Sequence, residues 1–154
     1  MFIFYAFPFA QLCDKETGEV KPEYRSFFDG LKEIAKEKGH EYFLAHERED
    51  WGADFKGPEE CVPHDYQGVV DSDIMIVVPG DPISGGVHVE LGWASANKKK
   101  MHVFLQKDKK YSPVVMGLKT LTDVVYHYSD EFPSERLLND IKKVIEEEGE
   151  KRCI

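Results

Sequence analysis

Asp81–Lys100 reads DPISGGVHVELGWASANKKK. Ahead of it lies the apolar run Asp73–Val78, DIMIVV, and behind it a second run, His102–Leu105. An apolar run, a glycine-containing turn, a small-residue helix and another apolar run spell a βαβ unit with parallel strands. Pro82, Ser84, Gly85 and Gly86 are predicted to make the turn, and Val87 to Asn97 the helix. The start of such a helix has free N–H groups and the positive end of the dipole, which suits an anion. Glu90 is expected in the first turn or so, held ionised and aimed at the mouth of the sheet. First-turn acids commonly serve only the helix. The setting singles this one out: Leu91, Ala94 and Ala96 are apolar or small, and Gly85 and Gly86 open space ahead of it. In open α/β sheets, ligands bind beyond the carboxyl ends of the strands, where this turn must lie.

Outward from that unit the chain keeps alternating. Phe2–Phe7 is continuously apolar, as a central parallel strand should be. It lacks a basic leader segment, and Pro8 follows it, so it is read as a strand and not as a signal peptide. Pro22 opens a helix with Tyr24, Phe27, Phe28, Leu31, Ile34 and Ala35 at helical spacing, ending at Gly39. Glu41–His46 is a second strand, and Glu59–Val70 a helix before the third. Asp123–Tyr128 is a fifth strand, and Ser134 caps a last helix carrying Leu137, Leu138, Ile141, Val144 and Ile145, ended by Gly149. The prediction is one α/β domain over residues 1–154, a three-layer doubly wound sheet of five parallel strands, flavodoxin- or Rossmann-like.

Composition narrows the function. The 154 residues are 42% hydrophobic and 32% charged, as expected of a soluble globular chain. A formal net charge of −9 disfavours a nucleic-acid or anionic-membrane surface, while a small phosphorylated ligand needs only a local cluster of donors. Three scattered cysteines, Cys13, Cys61 and Cys153, suggest a reducing, cytoplasmic setting and no disulfide framework. No apolar stretch is long enough to span a membrane. Cys61-x-x-His64 has no second ligand pair, so no metal is expected. GxGxxG, Walker and G-x-S-x-G sequences are absent, and no organic cofactor is expected. A second acid, Asp65, lies two helical turns before Asp73 in the helix preceding that strand. Two carboxylates converging on one pocket are what glycosyl transfer requires, one as nucleophile and one to handle the proton.

The string Ser84-Gly85-Gly86-Val87-His88-Val89-Glu90-Leu91-Gly92-Trp93-Ala94 resembles the signature of the nucleoside 2-deoxyribosyltransferase superfamily. There, a Glu followed by Leu/Ile-Gly and a small-residue helix is the nucleophile. Asp71-Ser72-Asp73 fits the family's opening of the preceding strand. The resemblance is closer to the 2'-deoxynucleoside 5'-monophosphate N-glycosidase branch. Ser84 is similar to that branch's phosphate-binding serine, and Asp65 falls where its second catalytic carboxylate stands. Ser112, leading SPVVMG, is similar to a serine that reaches the neighbouring subunit's phosphate site, and His46 is similar in position to a histidine. The sequence departs from the branch in two places. Phe4–Ala10 lacks the serine and arginine used on phosphate, and His88 replaces a glycine.

The resemblance implies a glycosyl–Glu90 intermediate, with Asp65 attending the departing base. Ser84, Gly85 and Gly86 would hold a phosphate or 5'-hydroxyl, and His88 would approach the ligand. Phe4, Tyr5, Phe7 and Phe9 are candidates to stack on the base. The ligand is a nucleoside or nucleotide. A shared site implies a homodimer, with Trp51, Phe55 and Trp93 as interface candidates. A base-exchanging transferase, a non-catalytic nucleotide-binding module and a glycohydrolase of a larger ribosyl compound remain alternatives.

Overall fold

Side chains of the central strand part alternately to the two faces of one sheet, and this decides where everything else sits. The computed structural model describes residues 1–81, 84–129 and 131–152. Pro82 of the predicted turn, and Cys153, lie outside them. The elements run β1 (Phe2–Ala6), α1 (Pro22–Glu37), β2 (Glu41–Leu44), α2 (Ala45–Arg48), α3 (Pro58–Asp71), β3 (Ile74–Val77), α4 (Gly85–Ala96), β4 (Lys100–Gln106), α5 (Pro113–Gly117), β5 (Val124–Ser129) and α6 (Glu135–Lys151).

All five strands are parallel, in the order β2-β1-β3-β4-β5. The order reverses between β1 and β3, the switch point at which doubly wound sheets of this type take their ligands. On one face Ile3, Tyr5 and Phe7 join Ile74, Ile76 and Phe104 against Phe28 and Leu31 of α1 and Leu137 and Ile141 of α6. On the other, Phe4 and Ala6 join Met75, Val77, Met101 and Val103 under Val69 of α3 and Val87, Leu91 and Ala94 of α4. The period-2 alternation of strand side chains produces both cores at once. Truncating a fully buried member such as Leu31 or Ile141 to alanine costs about 2–5 kcal/mol.

Local signals place the ends. Pro22 sits at the first position of α1, and Gly39 follows its end at φ +67°. Ser134 Oγ accepts from the Leu137 amide, as its capping role requires. Two expected ends differ. His46 does not finish β2, which stops at Leu44, but lies in the single turn α2. Gly149 does not end α6, which runs on to Lys151; a Cβ at Gly149 would lie 3.1 Å from His40 Nε2, so packing explains this glycine.

Candidate active site

The helix that carries Glu90 begins two residues earlier than the sequence pattern suggests. Ser84 caps it, its Oγ accepting from the Val87 amide at 3.5 Å, and Gly85 and Gly86 are the first helical residues. Their amides are therefore among those without an intrahelical acceptor. A Cβ at Gly85 would meet nothing within 4 Å. The earlier start puts Glu90 in the second turn of α4, not the first, and no acid occupies the first turn.

The second turn alters its electrostatics. Val87, Leu91 and Ala94 bury the adjoining face of α4 in the core. Glu90 keeps part of itself at the surface, but Oε2 is closed off from solvent and has no hydrogen-bond partner among the described residues. Burial, and next to it the Asp65 charge, push its proton affinity well above the ordinary carboxylate range. The carboxyl is thus not held ionised by the helix end. Burial and the neighbouring acid set its proton affinity.

Asp65 is positioned by α3, which packs along α4. Trp93, one turn beyond Glu90 on the same flank, meets Tyr66 edge to face, with ring centroids 5.5 Å apart and planes at 88°. Asp65 is the residue before Tyr66, and its Oδ1 is also buried without a partner among the described residues. Burial raises its pKa from 3.8 to about 6, against the opposing pull of the Arg48 charge and with a smaller upward push from Glu49. Two carboxyl groups with raised pKa values therefore sit on packed neighbouring helices, near enough for the Asp65 charge to act on Glu90. Such a pair is a recognised mark of a reactive site.

Arg48 and Glu49 are members the sequence reading missed. Arg48 Nη2 donates to Glu49 Oε1 at 2.6 Å, while Arg48 Nε is buried without a partner among the described residues. Glu49 is buried, and its Oε2 accepts from the Lys56 amide at 2.5 Å. Both residues lie at the start of a polar, turn-rich segment, and only tertiary packing brings them to Asp65.

The remaining expected site residues scatter. Phe4 is on the same face of the sheet as Glu90, but it is fully buried and stacks on Phe43, with centroids 4.9 Å apart. Tyr5 and Phe7 point to the opposite face. The Tyr5 hydroxyl donates to the Leu31 carbonyl, and Phe7 packs among Phe27, Phe28 and Phe132. His46 is buried between Phe9 and Phe28, its Nε2 donates to the Pro8 carbonyl at 2.9 Å, and burial lowers its pKa to about 4. His88 lies two residues before Glu90, about 200° around the helix and so on the other flank. Its Nδ1 donates to the Ser84 carbonyl at 2.8 Å. Ser112 caps α5 from the tip of the segment that follows β4. Among the described residues no three histidine, cysteine or acid side chains are grouped so as to hold a metal ion, and no helix is long and apolar enough to cross a membrane. A cavity of about 280 Å³ opens on the α1/α6 face, and neither Glu90 nor Asp65 lines it.

A 2-1-3-4-5 parallel sheet with two mutually interacting acids on the helices flanking its switch point defines a doubly wound α/β domain with an acid-pair candidate site. No protein-family model matches the sequence, and no curated protein does. Solved structures do. BlsM is 35% identical, with 93% of this chain and 90% of that one covered and a TM-score of 0.69. The CMP N-glycosidase BcmB of Clostridium botulinum is 26% identical, with 95% and 98% covered and the same TM-score. The chain belongs to the nucleoside 2-deoxyribosyltransferase superfamily, on its N-glycosidase side. A flavodoxin-like domain from Synechococcus sp., 12% identical at TM-score 0.50 over 92% of this chain and 91% of that one, shares the fold alone.

Proposed function

We propose that this protein is an N-glycosidase that cleaves the base–sugar bond of a nucleoside 5'-monophosphate or nucleoside through a covalent glycosyl–Glu90 intermediate. The observation that carries the reading is the α3/α4 seam. There Glu90 and Asp65 each hold a buried oxygen without a partner among the described residues, and each has a raised proton affinity. Native structures rarely leave buried polar oxygens unpaired, and a substrate would supply what these two lack.

The chemistry follows from the pair. Like charges in one dry seam do not both ionise easily, so at neutral pH the two acids share protons unequally. A cationic sugar centre developing nearby favours the ionised form of Glu90, whose proton passes to Asp65. Its carboxylate oxygen bonds to C1' while the C1'–N electron pair leaves with the base. Asp65, whose pKa is raised to about 6, donates the proton that the departing nitrogen takes. Water then attacks C1', Asp65 takes back a proton, and Glu90 is released with the free sugar or sugar phosphate. Arg48, whose charge acts on Asp65, tunes how readily that proton leaves. BcmB, a CMP N-glycosidase, supports the substrate class.

Ser84 and the Gly85 and Gly86 amides supply the anion-friendly end of α4 for a 5'-phosphate. Ser112 completes a second protomer's site in a homodimer. Exposed apolar residues on this side of the sheet support that assembly: Val62 and Tyr66 on α3, Val89 on α4 and Val114 on α5. A chromatographic screen of nucleosides and 5'-monophosphates for released base tests the function, run with and without a second free base as sugar acceptor. Release of base and sugar by water is expected. No released base from any member of the panel would refute the reading, and transfer to the added base would convert it to a transferase.

A further inference from the structure

The cavity on the α1/α6 face is built from different chemistry than the acid pair. Its aromatic wall is the stack of Tyr24 on Phe132, with centroids 5.6 Å apart and planes at 29°, braced edge-on by Phe27 at 5.2 Å. Facing it is Gly80, at φ +83°. Pro8 and Gln11 press on Gly80 so closely that a Cβ there would lie 2.9 Å from Gln11 Oε1. Glycine is what lets this wall exist. At the rim, Lys109 is paired with Asp81 at 2.6 Å, and Glu131 adds a second acid. The charged residues described around the cavity thus sum to one excess negative charge, and the one lysine is already engaged. A phosphate finds no spare cation there.

An aromatic wall, amide side chains and no net positive charge fit a flat, uncharged heterocycle, and about 280 Å³ suits one ring system with or without a sugar. We propose that this cavity is a second, non-catalytic site for an uncharged heteroaromatic ligand, a free nucleobase or a nucleoside, on the face of the sheet opposite Glu90. The assignment rests on the lining and not on the glycosidase reading. The two sites share one connection: Gly80 and Asp81 belong to the loop that leads to Ser84 and α4.

The test is a ¹H–¹⁵N titration of the Glu90→Gln protein with cytosine, adenine, cytidine and CMP. Saturable shifts at the amides of Gly80, Gln106, Ser129 and Phe132 are expected with the uncharged probes, with CMP about tenfold weaker there than cytidine. The base and nucleoside arms decide which of the two the cavity prefers, and saturation by either supports the site. Tyr24→Ala, which removes the stack, and Gln11→Trp, which fills the half-exposed rim, should each weaken binding about tenfold while base release by the parent background is unchanged. Absence of saturable shifts at these amides with every probe would overturn the proposal. So would CMP binding as tightly as cytidine, or affinity unchanged in both folded variants. Saturable binding together with a parent protein that releases no base from any substrate would leave this site standing and remove the glycosidase reading alone.

Discussion

Glu148, which is buried, and Glu90, which has one buried carboxyl oxygen, have opposite fates. Glu148 on α6 is 6% exposed, yet it accepts from Lys151 at 2.7 Å and Lys100 at 3.0 Å, with His102 Nε2 at 3.6 Å. Burial pushes its proton affinity up, but the hydrogen bonds from the two lysines outweigh it and leave the pKa below the ordinary value. Among the described residues no cation offsets Glu90. Burial and the Asp65 charge push the same way, and its pKa rises. Burying an acid therefore does not by itself raise its pKa; burying it without a partner does. Glu148 clasps α6 to the start of β4, whereas Glu90 Oε2 has no partner among the described residues.

The contrast breaks most sharply by neutralising each acid in turn. Glu90→Gln should lower the rate of base release by about 10³-fold or more, while its thermal midpoint rises because a costly buried carboxyl is gone. Glu148→Gln should leave the rate within about twofold and cost about 1–2 kcal/mol in denaturant unfolding, a modest figure because its lysine partners are partly exposed. Next in size is Asp65→Asn, expected to slow turnover about 10²-fold. It also removes the charge that raises Glu90, so the Glu90 limb of the pH–rate profile should move to lower pH. Arg48→Met is smaller. Losing the charge that holds Asp65 down should lift the Asp65 limb above about pH 6, with a change in maximal rate of only about tenfold.

The smallest effect concerns stability against pH, and the two regions should slope in opposite directions. Asp65 holds a proton in the native state that the unfolded chain has released, because its pKa rises from 3.8 to about 6. Its contribution falls as pH climbs through that window. Glu148, with a depressed pKa, contributes above the ordinary carboxylate range and loses that contribution as pH falls through its folded value. Unfolding midpoints across pH should show Asp65→Asn flattening the first slope and Glu148→Gln the second.

Much of this was legible from residue pattern. The apolar runs gave five strands, and βαβ spacing made them parallel, because neither depends on distant contacts. The acid pair was legible through the Ser84–Ala94 string and the placement of Asp65. What escaped was three-dimensional. Strand alternation puts Tyr5 and Phe7 on one face and Phe4 on the other, but a list of aromatic residues does not say which face Glu90 overlooks. Glu90 was expected ionised near the helix end, whereas the cap at Ser84 shifts it to a buried second turn. Arg48 sits in a polar, turn-rich stretch, and only the tertiary fold brings its charge to bear on Asp65. His46 reads as a ligand group until its stacking between Phe9 and Phe28 is seen.

Trapping the bond decides whether Glu90 attaches to the anomeric carbon. A substrate analogue fluorinated at C2' of the sugar slows the second half of the reaction more than the first. Digestion and mass spectrometry of the parent protein after exposure should find the added sugar on the peptide containing Glu90, with one base released per labelled chain. Base released in steady turnover with no labelled peptide, or label on a different carboxylate, would contradict the account.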